Sequence, residues 1–160
     1  MAGENEITGI LNKAGSYVSA ETKDAIVRKP VTVYGVVNAS GKLRDSVRYD
    51  LRDGVCRVYA LDYIYYVEQG RKPGKRPPRK AIEQWITDKG IIPDKISKQS
   101  LAYLIAKKIG EEGTTAHKQG GTKLLADIVG ADFRSSVQSE LLLTFKEKTN
   151  AAFRSAITGK

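Results

Sequence analysis

The sequence predicts a single α+β domain, residues 1–160, in which helices flank a small antiparallel sheet. Three observations lead to this class. The chain has 160 residues, 41% of them hydrophobic and 28% charged, which is enough for one buried core. Residues 46–60 alternate apolar and polar side chains around an Asp-Gly pair, as a β-hairpin does. The stretches on both sides repeat apolar residues three or four apart, which is helical spacing.

The N-terminal part is predicted as one helix over residues 4–28, which Lys29-Pro30 ends because proline cannot continue a helix. A strand and loop core follows over residues 31–70. Its residues 31–37 are rich in β-branched side chains and predict a short strand that Gly35 interrupts. Residues 38–46 predict a turn and one helical turn.

The clearest element is the hairpin, at about residues 46–60, with its turn at Asp53-Gly54. Each strand has one apolar face, made of Val47, Tyr49 and Leu51 on the first strand and of Cys56, Val58 and Ala60 on the second. Cys56 is the only cysteine, so the chain has no intramolecular disulfide. Its position on the strand predicts a small packed side chain rather than a nucleophile.

Residues 81–160 are predicted to be mainly helical. Pro78 opens a helix that Gly90 closes. A second helix runs from about Ser97 or Ser100 to Gly110. The buried stripes expected on these helices are Ala81, Ile82, Trp85 and Ile86 on the first, and Leu101, Leu104, Ile105 and Ile109 on the second.

The last part of the chain begins with a polar, glycine-rich stretch, residues 113–122, which predicts a loop without regular structure. A short helix is expected around residues 123–129, and a long one from Asp132, whose side chain is expected to cap it. The buried stripe expected on the long helix is Phe133, Val137, Leu141, Phe145, Ala152 and Phe153.

The positive charge is concentrated. The formal net charge is +9, from 27 Lys and Arg against 18 Asp and Glu. Residues 70–80, the basic segment, contain six cations and no acid: Arg71, Lys72, Lys75, Arg76, Arg79 and Lys80. Three prolines in this segment exclude a helix interior or a central strand, so we expect an exposed loop.

Two interpretations of the basic segment remain open. It is either a solvated loop that keeps like molecules apart or a contact for a polyanion, because Lys and Arg gain affinity for phosphates by releasing counterions. No aromatic residue lies between the cations, which favours phosphate contact over base stacking. The neighbouring Tyr63, Tyr65 and Tyr66 fit core packing, a buried hinge or a subunit contact.

Enzyme motifs are missing from the sequence. His117 is the only histidine and lies in the polar loop, and no Cys and His set for structural zinc exists. The sequence from Gly35 to Leu43 does not match a phosphate-binding loop. The motif needs four residues between its glycines and a Ser or Thr after its lysine, but here five residues separate Gly35 from Gly41 and Leu43 follows the lysine. We therefore expect no catalytic residues, no cofactor and no metal.

No stretch of the sequence predicts a membrane helix or a secretion signal. Glu4 and Glu6 stand where a signal would have cations, and no apolar run approaches the roughly 20 residues that a membrane helix needs. The expectation is a soluble protein from a reducing compartment, with no membrane partner.

One region resembles a known family. From Ser40 the order S-G-K-L-R-D-S-V-R-Y, a hairpin, Asp62-Tyr63, Tyr66-Val67-Glu68-x-Gly70 and a basic, proline-bearing loop resembles the tail-completion proteins, also described as minor tail or neck proteins, of tailed bacteriophages. The likeness continues through the helix from Pro78 to Gly90, the segment L-A-x-x-I-A-x-x-I from Leu101, and Glu112-Gly113-Thr114. It covers roughly the central half of the chain, and more faintly both terminal helices.

The resemblance implies a non-enzymatic virion protein, assembled in the host cytoplasm, that forms a homo-oligomeric ring at the head-tail junction. Its partners would be neighbouring portal, adaptor or tail ring proteins, with double-stranded DNA passing through the ring. The candidates for subunit contact are Tyr63, Tyr65, Tyr66 and Glu68. In the basic segment this chain has Lys and Arg where family members more often have Thr and an aromatic residue, so the segment faces DNA, an acidic neighbour or solvent.

Two alternatives belong to other functional classes. One is a free-standing DNA-binding module that uses the basic segment for phosphate contact. The other is a metal-dependent nuclease recruiting some of the scattered acids near the strands, Asp45, Asp50, Asp53, Asp62 and Glu68. We rank it last, since Asp50 fits a solvent-facing strand position and Asp53 fits the turn.

Overall fold

The structure is a computed structural model that describes residues 2–28, 30–32, 35–36 and 39–158. It confirms the α+β class, with two antiparallel strand pairs among many helices. The elements in chain order are α1 Ala2–Arg28, β1 Pro30–Thr32, β2 Gly35–Val36, α2 Lys42–Ser46, β3 Arg48–Arg52, β4 Val55–Tyr59, α3 Ile64–Gln69, α4 Arg79–Asp88, α5 Lys98–Glu112, α6 Thr115–Lys118, α7 Leu124–Ile128 and α8 Ala131–Thr158.

Most predicted elements are confirmed. The hairpin is confirmed: β3 pairs with β4, with Tyr49 opposite Val58 and Leu51 opposite Cys56, so these four side chains share one face. Asp53 and Gly54 both have positive φ, 53° and 70°, which a tight hairpin turn requires. The predicted strand over residues 31–37 is a pair of short strands, β1 and β2, and its residues 33, 34 and 37 lie outside the described residues, as do residues 29 and 38.

The chain divides into two compact units. The core unit contains Thr22–Val47 and Ala60–Leu125, and the long-helix unit contains Met1–Glu21, Arg48–Tyr59 and Ala126–Lys160. The buried cluster of the core unit consists of Ile26, Leu43, Val47 and Leu124. In the same unit α4 packs on α5 and buries Ile86, Ala102 and Ala106.

In the long-helix unit α1 and α8 run antiparallel. Lys13 pairs with Glu140 at 3.5 Å, and Lys148 pairs with Glu6 at 2.9 Å. The earlier residue of α1 thus pairs with the later residue of α8, as antiparallel helices require. The apolar face of the hairpin packs on α1 at Gly15, where an added Cβ would lie 2.6 Å from the Tyr49 ring. This contact also covers Cys56, which confirms a partly buried, packed thiol.

Two predicted stripes are wrong in part. On α5 the buried side chains are Ala102 and Ala106, whereas Leu104 is 52% exposed. The physical reason is that the small alanines let the backbones of α4 and α5 approach closely. A leucine at the same contact would hold the two helices farther apart. On α4, Ile86 is buried but Ala81 is exposed.

The predictions for the last 50 residues need more correction. Residues 113–122 contain a short helix, α6, which Thr114 caps by accepting a hydrogen bond from the His117 N–H. Helix α8 begins one residue before Asp132, so Asp132 lies in the first turn rather than at the cap. No residue of α8 is buried, and Phe145 and Phe153 are 66% and 64% exposed.

Candidate interaction surfaces

The basic segment is held to the core unit by backbone hydrogen bonds. The Arg71 N–H donates to the Thr114 hydroxyl at 2.8 Å, and the Thr114 N–H donates to the Arg71 carbonyl at 2.8 Å. Farther along, the Gly74 N–H donates to the Gly110 carbonyl at 2.7 Å. Gly113 permits this approach, since an added Cβ would lie 2.7 Å from the Arg71 carbonyl oxygen. Residues 70–78 lack regular structure, as predicted, whereas Arg79 and Lys80 form the start of α4, because Pro78 precedes the helix there. The loop part is attached to the end of α5 and the start of α6.

The three arginines of the segment have partners within the core unit. The Arg71 guanidinium lies 4.9 Å from the centre of the Tyr66 ring and donates to the Lys75 carbonyl at 3.3 Å. Such stacking of a cation on an aromatic ring is worth about 0.5–1 kcal/mol at an exposed site.

The other two arginines each pair with a glutamate. Arg76 lies 3.9 Å from the Glu111 carboxylate and 5.9 Å from the centre of the Tyr103 ring. Arg79 lies 3.3 Å from Glu83, one turn along α4. Arg71 and Arg76 therefore hold the segment in place, whereas the Arg79 pair lies within α4.

The three lysines of the segment differ from the arginines. Lys72, Lys75 and Lys80 are exposed, and their side chains make no hydrogen bond or ion pair with any residue that the structure describes. Other lysines of the core unit do find acids, since Lys107 lies 4.0 Å from Glu111 and Lys118 lies 2.7 Å from Glu112. The amino groups of the segment's lysines are thus presented to solvent.

The tyrosine patch, Tyr63, Tyr65 and Tyr66, lies on and just before α3. The three side chains are 43%, 64% and 50% exposed, so core packing does not explain them. Tyr65 and Tyr66 meet edge to face with ring centres 5.8 Å apart. Partial burial, with the Asp88 carboxylate, raises the pKa of the Tyr63 hydroxyl.

Glu68, the fourth predicted contact residue, is occupied within the chain. Its carboxylate accepts a hydrogen bond from the Leu125 N–H at 2.8 Å, in the first turn of α7, and its backbone carbonyl accepts one from the Thr122 N–H at 2.7 Å. A carboxylate at a helix start satisfies a free N–H and complements the helix dipole. The side chain therefore positions α7.

A further surface was not predicted, and it lies on α8. Its apolar members are 60–83% exposed and form the α8 stripe: Leu142, Phe145, Phe153 and Ile157. At about 100° per residue, Leu142, Phe153 and Ile157 point away from the residues of α8 that contact α1, which are Phe133, Glu140 and Lys148. Phe145 lies at the edge of the stripe, about 60° from Lys148. The stripe is thus centred on the side of α8 opposite α1.

The last two turns of α8 extend past its last described contact with α1. The Glu6–Lys148 pair lies near the start of α1, and α8 continues for ten more residues. Every residue from 150 to 158 is exposed. The sequence analysis placed Phe133 and Phe145 on one buried stripe because they are a multiple of four residues apart. Each step of four residues turns about 40° around a helix, so these two side chains lie about 120° apart.

The candidate catalytic groups do not converge. Asp50 pairs with Arg52 at 2.8 Å, and Asp45 pairs with Arg44 at 2.7 Å, both on the surface. His117 is exposed, as expected, and its backbone packs against Gly70. Over residues 2–28, 30–32, 35–36 and 39–158, no three His, Cys, Asp or Glu side chains are grouped as metal ligands.

No helix in the described part of the chain has the length and apolar composition needed to cross a membrane. Comparisons with protein families, curated proteins and solved structures gave no match to the chain. The resemblance to phage tail-completion proteins therefore stays a prediction from the sequence, and the function has to be argued from the surfaces.

Proposed function

We propose that the chain is a structural virion protein that forms a homo-oligomeric ring at the head-tail junction of a tailed bacteriophage. On this proposal it is not an enzyme, and DNA passes through the ring. Two kinds of support exist: the ordered sequence resemblance from Ser40 to Thr114 and the surfaces of the folded chain.

The observation that carries the proposal is the α8 stripe. Its four large side chains, at least 60% exposed, lie along about four turns of one helix. Burying a large apolar side chain yields about 1.5–3 kcal/mol, so the stripe represents a substantial association energy. Several exposed large apolar side chains on one side of a helix mark an interaction site.

The tyrosine patch supports a ring rather than a symmetric dimer. A ring needs two different surfaces on each chain, because one surface of each subunit meets the other surface of the next subunit. The α8 stripe and the tyrosine patch are two such surfaces, one in each unit of the chain. Exposed tyrosines suit the second, since they bury large area at low entropic cost.

Light scattering of the purified protein tests the oligomer. We expect a closed species of defined mass, and we expect Phe153→Asp with Ile157→Asp to reduce it to a monomer, because two charges would be buried in the contact. The matched control is Ala151→Asp with Ser155→Asp, which puts the same two charges on the opposite face of α8. A wild-type chain that stays monomeric at high concentration and with its virion partners would contradict the proposal.

Cysteine cross-linking tests the geometry. In a Cys56→Ser background, Phe153→Cys with Tyr65→Cys should give a ladder of covalent oligomers that ends at one largest species. Phe153→Cys alone should remain uncross-linked. If this single variant instead forms covalent dimers, α8 pairs with itself and the ring is wrong. Detection of the protein in the neck of purified particles tests the location.

A further inference from the structure

We propose that Lys72, Lys75 and Lys80 bind the phosphate backbone of double-stranded DNA, while Arg71 and Arg76 of the same segment fix its shape. This inference deepens the proposed function and rests on it for the setting, since the ring would bring DNA to the segment. It divides six cations that the sequence presents as equivalent.

The contacts of Arg71 and Arg76 support their role in fixing the shape of the segment. Arg71 is stacked on Tyr66 and bonded to the Lys75 carbonyl, and Arg76 is placed between Glu111 and Tyr103. A planar guanidinium is suited to stacking and to hydrogen bonds in fixed directions. Turning these groups toward a phosphate would break contacts that hold the segment.

The role of the three lysines in binding phosphate is supported by their exposure and by the absence of an acidic partner among the described residues. Three exposed ammonium groups within nine residues have no acidic partner among the described residues, although Glu111 and Glu112 in the same unit pair with other lysines. The backbone that carries Lys72 and Lys75 is fixed by the Gly74–Gly110 and Arg71–Thr114 hydrogen bonds, and Lys80 lies in the first turn of α4. A flexible point charge on a fixed backbone suits a phosphate contact that reads no base sequence.

Duplex DNA fits this surface better than an acidic protein does. Protein contacts have an apolar or aromatic centre surrounded by polar groups. The segment itself contains only cations, glycines and prolines, and the neighbouring rings of Tyr66 and Tyr103 are already in contact with Arg71 and Arg76. DNA needs only charge, and it gains affinity through the release of counterions.

The test is fluorescence anisotropy of a labelled 30-base-pair duplex in 50–200 mM NaCl. Three phosphate contacts per chain predict a slope of log affinity against log salt of about −2.7, which is a loss of about 40-fold over this range. The variant Lys72→Ala, Lys75→Ala, Lys80→Ala should lose most of this slope. The control Lys23→Ala, Lys42→Ala, Lys95→Ala has the same net charge and should keep it.

Arginine variants test the division of roles. Arg76→Lys keeps the charge but loses the ring and carboxylate geometry, so we expect an unchanged salt slope and several-fold faster hydrogen exchange at the Gly74 amide. The triple lysine variant should leave that exchange unchanged. Equal loss of slope in Arg76→Ala and in a single lysine variant would overturn the division.

The outcomes separate this inference from the ring. Each measurement is repeated on the Phe153→Asp, Ile157→Asp chain, so DNA binding is scored whether or not the oligomer forms. A closed oligomer that shows no DNA binding at 50 mM salt overturns the lysine contact alone. Binding to polyglutamate without binding to the duplex overturns it in favour of an acidic protein partner.

Discussion

The two units of the chain differ in how completely they bury their apolar side chains. In the core unit Ile26, Ile86 and Leu124 are at most 1% exposed. Among the described residues of the long-helix unit, the only buried apolar side chain is Ile10, which is 8% exposed. Both units expose apolar side chains, such as Ile92 in the core unit and Ile157 in the long-helix unit, but only the core unit also has a buried apolar cluster of its own.

The largest expected effect comes from cutting into the core unit. Ile26→Ala should destabilise it by about 2–5 kcal/mol, because it removes packed atoms and leaves a cavity. Phe153→Ala removes a larger side chain, yet the dilute monomer should change by less than about 0.5 kcal/mol. Urea unfolding measures both effects when the core unit is followed by the fluorescence of Trp85, the only tryptophan, and the helices are followed by far-UV circular dichroism. Equal losses would contradict the comparison.

A pair of glycines probes the long-helix unit with opposite signs. Gly15→Ala should destabilise it by about 1–3 kcal/mol, since the new methyl group would lie 2.6 Å from the Tyr49 ring. Gly9→Ala should stabilise it by about 0.5–1 kcal/mol, because a Cβ there meets nothing within 4 Å and alanine favours the helix. Thermal unfolding followed by circular dichroism gives both signs. If the two variants shift in the same direction, α1 does not pack on the hairpin at Gly15.

Removing the Glu68 carboxylate should have an intermediate effect. Glu68→Ala leaves the Leu125 N–H without its 2.8 Å acceptor and should cost the core unit about 1–2 kcal/mol. Glu68→Gln keeps an acceptor oxygen and should lose less. Chemical unfolding of the dilute protein compares the two, and a loss of oligomer without any loss of monomer stability would assign Glu68 to the subunit contact instead.

The smallest expected effect is a pH dependence at the end of α5. The hydrogen bond from Lys118, followed by the charges of Lys118 and Lys108, lowers the pKa of Glu112 from its ordinary value of 4.5. A lowered folded-state pKa means that this contribution to stability is present above pH 4.5 and is lost as the pH falls through the folded value. Both partners are about half exposed, so the effect is small. Unfolding midpoints at pH 3 and pH 6 should differ less in Lys118→Met than in wild type.

The sequence predicted those elements whose position depends on residues close together in the chain. Strict alternation and Asp53-Gly54 predicted the hairpin. Of the two starts predicted for the helix α5, Ser97 and Ser100, the structure has Ser97 as the cap, which accepts a hydrogen bond from the Ser100 N–H. The helix within residues 113–122 was missed because its position depends on hydrogen bonds to Arg71 and Glu68, which are distant in sequence. The charge of the basic segment was evident from composition. The separate roles of its arginines and lysines depend on Tyr66, Tyr103 and Glu111, which no spacing rule connects to it.

The pairing of α1 with α8 also has a consequence for the order of folding during synthesis. Lys13 and Glu140 are 127 residues apart, and the ribosome needs about 6–25 s to add that many residues. Through this interval α1 has no partner helix, and closing so long a loop carries an entropic cost. We therefore expect the core unit to fold first, and α1 to find its partner only when α8 has emerged from the ribosome.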